Sequence, residues 1–153
     1  MKTAAFGTIL AFGDGATPEV FHKLANVKDI SGPKMSRETI DVTTHDSPDG
    51  YKEFLASLRD GGEITFDLEF DPADASQDAT DGLLSLWHKD VPTNWKLITM
   101  IPATTGRYGF SFSALVTGVE FAHPVSSSHT VSVTLKVAGA VSDPTDMPTT
   151  GLV

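Results

Sequence analysis

The stretch Glu63-Ile64-Thr65-Phe66-Asp67-Leu68-Glu69-Phe70-Asp71 places a large apolar residue at every even position and a polar one at every odd position. A strict period of two reads as a β-strand with one face on a core and the other in water. Ile64, Phe66, Leu68 and Phe70 would anchor it; Glu63, Asp67, Glu69 and Asp71 would be wet. Val131, Val133, Leu135 and Val137 repeat the pattern against Ser132, Thr134 and Lys136. Between 108 and 121 the phase slips, with Phe110 and Phe112 at even positions and Leu115, Val119 and Phe121 at odd ones. A bulge near Ser113-Ala114, or a strand passing from core to subunit contact, would account for that slip.

Working outward, turn chemistry cuts the chain at Gly13-Asp14-Gly15, Ser31-Gly32-Pro33, Ser47-Pro48-Asp49-Gly50, Asp60-Gly61-Gly62, Asp71-Pro72 and Pro102 to Gly106. Between these lie Val-, Ile-, Thr- and Phe-rich runs that read as strands near 5–12, 20–30, 36–44, 63–71, 94–101, 108–121 and 129–140. That spacing predicts a mainly β fold, a sandwich or barrel. Two helices are expected to interrupt it. The first has Ser47 as N-cap, Pro48 at its first position and Gly61-Gly62 at its end, with Tyr51, Phe54, Leu55 and Leu58 as its apolar stripe. The second spans roughly 76–89, with Ala79, Leu83, Leu86 and Trp87 as its stripe and Asp74, Asp78 and Asp81 toward its N-terminus. Residues 1–141 read as one β domain, and the Pro-containing 142–153 as an extended or disordered C-terminal arm.

Bulk properties exclude several classes. With 11 Lys plus Arg against 20 Asp plus Glu, the net charge is −9. A basic grip on nucleic acid or on anionic lipid is therefore not expected. The absence of cysteine rules out disulfides, thiolate metal sites and a cysteine nucleophile. Ala4 to Phe12 is the longest apolar-leaning stretch, about half of the ~20 residues a membrane helix needs. Lys2 before it gives a poor signal-peptide n-region, and Gly13-Asp14-Gly15 follows without a small-x-small site. An N-terminal strand is the better reading.

Chemistry-bearing patterns are sparse. His22, His45, His88, His123 and His129 show no His-x-His or His-Glu-x-x-His spacing; His123 and His129 flank one turn as a two-ligand possibility at most. Asp60 to His88 holds eight acids and no Lys or Arg. Asp67, Glu69 and Asp71 alternate along a strand, so neighbours stand ~7 Å apart and do not converge on a calcium ion. Nucleophile-elbow, P-loop and dinucleotide fingerprints are absent, and carboxylates on one strand face do not oppose each other across a cleft. Trp87, Trp95, Phe66 and Phe70 read as core rather than a sugar platform. No catalytic residue, cofactor or metal is expected.

The ordered series of strand 20–30, Gly32-Pro33, Glu38-Thr39-Ile40-Asp41-Val42-Thr43-Thr44, Asp49-Gly50-Tyr51-Lys52-Glu53-Phe54 and Leu58-Arg59-Asp60-Gly61-Gly62-Glu63 resembles the major tail tube protein of long-tailed, siphovirus-type bacteriophages. The likeness extends weakly through Phe66 to Pro72 and the final strands. It implies a β-sandwich or barrel with a flanking helix, hexameric rings, and rings stacked into a hollow tube that delivers phage DNA. The partners implied are further copies of the chain and the tail tip or baseplate, tape-measure and tail terminator proteins. Double-stranded DNA would pass without specific binding, no membrane is involved, and the location is the virion, assembled in the host cytoplasm. The type VI secretion tube protein shares the implied fold and is one alternative; a small-ligand β-barrel lined by Trp87, Trp95 and phenylalanines is another.

A lumen of carboxylates repels phosphate, the reverse of a DNA-binding groove. The candidates for such a lumen are Glu63, Asp67, Glu69 and Asp71, with Glu38 and Asp41 weaker; the same face could equally be the tube exterior or a ring contact. Assembly candidates fall in the N-terminal segment (Phe6), the segment His45 to Gly62 (Tyr51, Phe54) and the C-terminal arm (Pro144, Pro148, Leu152).

Overall fold

The computed structural model describes residues 4–100, 107–147 and 152–153. Its strands are β1 (Ile9–Gly13), β2 (Phe21–Lys23), β3 (Val27–Ser31), β4 (Ser36–Asp41), β5 (Phe54–Asp60), β6 (Glu63–Glu69), β7 (Thr93–Met100), β8 (Arg107–Ala122), β9 (Thr130–Val137) and β10 (Thr145–Asp146), with one short helix, α1 (Leu83–Trp87). The main sheet runs β2-β1-β7-β8-β9-β6-β3, with β10 beside β8; β4 and β5 form a separate two-stranded sheet.

The two ends of the main order, β2 and β3, are halves of one stretch of chain, 21–31. Leu24 N–H donates to Leu10 O on one side, and Glu69 N–H to Asn26 O on the other. The sheet thereby rolls up on itself into a small barrel, which removes the free edges an open sheet would leave. Strand 20–30 of the sequence reading is thus two strands that share one closing role.

The inward face is what the period of two predicted. In β6, Ile64, Phe66 and Leu68 are buried, and across the ladder Phe66 faces Val133 while Leu68 faces Val131. Trp95 sits fully buried with Phe12 and Phe66 rings at 5.7 and 6.3 Å. Leu83 and Leu86 of α1 add to the same core, and the helix packs on β8. Each such side chain contributes ~1.5–3 kcal/mol by leaving water.

Three local expectations are corrected. The helix expected from Ser47 to Gly61-Gly62 is a single 3₁₀ turn, Pro48–Gly50, closed by Tyr51 N–H to Pro48 O, and then the strand β5. Asp49 (φ 55°) and Gly50 (φ 70°) are left-handed and stop any helix there. The backbone of 54–60 pairs instead with β4, in the register Asp41↔Phe54, Ile40↔Leu55, Thr39↔Ala56. Partners across the hairpin outweigh the helix propensity of Leu, Ala and Arg.

The helix expected over 76–89 is only Leu83–Trp87. Upstream, aspartates capture backbone donors: Asp71 from Ala73, Asp74 from Ser76, and Asp78 from Thr80, Asp81 and Gly82. Such side chain to backbone bonds offer an alternative to the helix ladder. Ala79 and Trp87 are accordingly exposed rather than part of a buried stripe. The bulge in β8 also lies later than expected, where the register shifts between Val116 and Gly118 rather than at Ser113-Ala114.

The chain beyond Val141 follows β8: Ser142 N–H donates to Ser111 O, Met147 N–H donates to Arg107 O, and β10 pairs with Gly109 and Tyr108. Leu152 bridges Phe21, and Val153 exchanges bonds with Phe21 and Lys23.

Candidate functional site

Two surfaces stand out, and they differ in chemistry. The first is the outer face of β6 and β9. Glu63, Asp67 and Glu69 project from β6 opposite Lys136, Ser132 and Thr130 respectively. Ser132 Oγ donates to Asp67 at 2.6 Å, and Lys28 Nζ lies 2.8 Å from Glu69, which also accepts from Ser128. The Lys28 ammonium, first through its hydrogen bond and then through its charge, holds the Glu69 carboxyl below its ordinary value. This face carries no exposed large apolar side chain. Asp71 lies beyond the end of β6, where it closes its own turn onto Ala73 N–H.

The second surface is the β4–β5 hairpin, an arm standing off the barrel. Ile40, Val42, Tyr51, Phe54, Leu55 and Leu58 are all exposed on it, Tyr51 to 75% and Leu58 to 78%. A two-stranded ribbon this apolar is not independently stable in water and calls for something to cover it. At the tip, Ser47 Oγ donates to Glu53 at 2.6 Å and Glu53 N–H donates to Thr43 Oγ1 at 2.9 Å, which ties the turn shut. Glu38 and Asp41 sit on this arm, away from the β6 face. Asp41 accepts from the Thr43 hydroxyl and N–H, which lowers its pKa.

The arm meets the barrel at Gly61-Gly62. Gly62 has φ +74°, and a Cβ there would stand 2.0 Å from the Lys34 carbonyl oxygen. Asp60 accepts from Gly62 N–H and, at 3.3 Å, from Lys136; these two contacts, in that order, hold its pKa down. Only glycine fits that junction.

The remaining candidates are dispersed. Phe6 is 95% exposed in the N-terminal segment; Pro144 is exposed beside β10; Leu152 is half-buried against β2; Pro148 lies outside the described residues, as do Ile101 and the expected turn Pro102 to Gly106. His123 and His129 are exposed cross-strand neighbours with Nδ1 atoms 2.9 Å apart, and among the described residues no group of three or more His, Asp or Glu could hold a metal ion. Among the described residues no helix is long and apolar enough to cross a membrane.

Sequence reasoning did not single out Gln77. It is buried, its Nε2 donates to the Ala25 and Glu69 carbonyls, and its Oε1 accepts from Asp71 N–H. One side chain thereby fastens the aspartate-rich 71–82 loop to the end of β6 and to the link between β2 and β3. A lone Gln between acidic turns carries no periodicity, so nothing in the sequence flags it. Arg37 and Arg59, which face each other across the arm, were also missed.

A closed β-barrel with a projecting apolar hairpin and a wet acidic face defines a self-assembling structural subunit rather than a ligand pocket. The family model for phage tail tube proteins matches residues 4–143, and the chain belongs to that family. A sequence search among curated proteins gives no match. Among solved structures, the chain is similar to a protein of the native gene transfer agent particle virion (TM-score 0.66, 19% identity, 92% of this chain and 98% of that one). It is similar to a chain of an extracellular contractile injection system, the PVC sheath-tube complex in its extended state (TM-score 0.68, 15% identity, 95% and 93%). It is also similar to the SPP1 tail tube (TM-score 0.63, 10% identity, 89% and 77%). At these identities the likeness is one of fold. The protein is a structural subunit of a phage tail tube and a component of the virion; the type VI-like and small-ligand readings are not favoured.

Proposed function

We propose that six copies form a ring, that rings stack into a hollow tube, and that double-stranded DNA travels through the lumen to the host without being gripped. The observation that carries this reading is the division of the surface. The β6–β9 face is acidic and free of exposed large apolar groups, whereas six large apolar side chains crowd the arm. Glu63, Asp67 and Glu69 then line the lumen, with Asp71 as a lesser contributor, whereas Glu38 and Asp41 lie on the arm, away from that face, and do not. Their charge repels phosphate over the ~8 Å that physiological salt allows. Tyr51 and Phe54 of the arm, Phe6, and the extended C-terminal segment with Pro144, Pro148 and Leu152 supply the contacts between copies. Tail tip or baseplate, tape-measure and terminator proteins are the further partners. The role is mechanical, without catalysis.

Electron microscopy of concentrated purified protein tests the tube, with hollow filaments of uniform width expected. A Glu63→Gln/Asp67→Asn/Glu69→Gln variant tests the lumen. Its tubes are expected to retain DNA that wild-type tubes release, and a tube map with these side chains pointing outward overturns the lumen assignment.

A further inference from the structure

Arg37 and Arg59 are directly opposite each other across the β4–β5 ladder. Like charges so placed have Cβ atoms ~4.5–5.5 Å apart and are destabilising unless an anion sits with them. Among the described residues no carboxylate lies within 4 Å of either guanidinium; the ion pairs found there are Lys28–Glu69 and Lys136–Asp60. Both arginines open onto a notch of about 650 Å³ at the base of the arm, walled by Met35, Val137 and Val141 and lined also by two carboxylates, Asp143 and the Asp60 already bonded to Lys136 and the Gly62 N–H. With Asp60 taken by Lys136, two guanidinium forks face the single carboxylate of Asp143 in this concavity, and the excess of positive charge leaves room for a further carboxylate.

The other end of the same arm carries the complementary charge. Asp46 and Asp49 are exposed in the tip turn, neither carboxylate accepts a hydrogen bond among the described residues, and with Glu53 they outnumber Lys52. Tip and base of one arm are separated by the six residues of β4, roughly 20 Å at ~3.3 Å per residue. The tip therefore does not reach its own base. We propose that the acidic tip, Asp46 and Asp49, of one copy seats between Arg37 and Arg59 at the arm base of a second copy. Such a contact is head-to-tail, the kind that propagates rings or helical stacks rather than closing a dimer. The inference rests on the tube reading and adds to it the polarity and partners of the arm.

Two variants test it in the full chain: a base-reversed one, Arg37→Glu/Arg59→Glu, and a tip-reversed one, Asp46→Lys/Asp49→Asn. Each alone is expected to lose at least ~10-fold of the pelletable filaments that wild type forms, with the monomer's melting curve unchanged. Mixed one to one they present acid tip to basic base and basic tip to acid base, and filaments are expected to return. Assembly of wild type is expected to weaken as salt rises toward 1 M, where screening falls to ~3 Å. Either variant assembling alone like wild type, or a mixture that stays soluble, overturns the contact. Wild type that forms no filaments at all fails the tube reading itself, whereas filaments from wild type and both variants alike fail only this contact.

Discussion

β5 and β6 are seven-residue strands separated by two glycines, yet they meet opposite fates. β6 buries every second side chain in the barrel, and the same positions in β9 receive them. β5 leaves Phe54, Leu55 and Leu58 in water. In β6 the apolar residues alternate, so one face is closed by the chain's own core. In β5 Phe54 and Leu55 are adjacent and point to both faces, so no single layer of this chain can cover them. Apolar area that a fold cannot bury for itself is area that calls for a partner to cover it.

The comparison can be broken, first, in the barrel. Phe66→Ala is expected to destabilise the monomer by ~3–5 kcal/mol, read as a lower urea midpoint, because the cavity is lined by well-packed neighbours such as Trp95. Gly62→Ala at the junction is expected to cost ~1–3 kcal/mol, since it adds a Cβ against the Lys34 carbonyl at a positive φ. Gln77→Ala removes the partner of three part-buried backbone groups and is expected to cost ~1 kcal/mol, with faster proteolysis confined to the 71–82 loop. In the arm, Tyr51→Ser/Phe54→Ser is expected to move monomer stability by no more than ~0.5 kcal/mol while abolishing filaments. A large fall in monomer stability there would show that the arm is part of the core after all.

Acid sharpens the same contrast. Asp74 and Asp78 have folded-state pKa values lowered by the hydrogen bonds they accept, Asp74 chiefly from the Ser76 side chain and Asp78 chiefly from the Asp81 and Gly82 N–H groups. Groups depressed on folding stabilise fully above their unfolded value, here 3.8, and lose that contribution as pH falls through the folded value. The 71–82 loop is thus expected to loosen below about pH 4 before the barrel does, as seen by amide exchange; Asp78→Asn is expected to remove its share of that pH dependence, and Asp74→Asn/Asp78→Asn both shares.

The sequence made the barrel legible where alternation was strict. Ile64 to Leu68 and Val131 to Val137 read correctly because burial on one face forces a period of two. The arm was misread for a physical reason. Phe54-Leu55-Ala56-Ser57-Leu58-Arg59 holds good helix formers whose apolar spacing fits a helix, and only the long-range pairing with β4 makes it a strand. The aspartates at 74 and 78 favour a helix start and an Asx turn alike, and the structure chose turns. Which side chains meet across the arm depended on a register that shifts between Arg37 and Thr39, which no local pattern announces. The acids of β6 were legible as wet; what they face is a property of the assembly.

Gly62 has a consequence at a larger scale. Because its backbone is wedged against the Lys34 carbonyl, Gly62 ties together the two strands of chain by which the hairpin joins the barrel, and its torsion angles help to set the direction in which the hairpin leaves. A few degrees of change there, carried along the ~20 Å of the hairpin, displace its tip by an ångström or more. In a filament built through the arm, a change of angle at that glycine would be passed on from copy to copy, as the angle cut into each tread is passed up a spiral staircase.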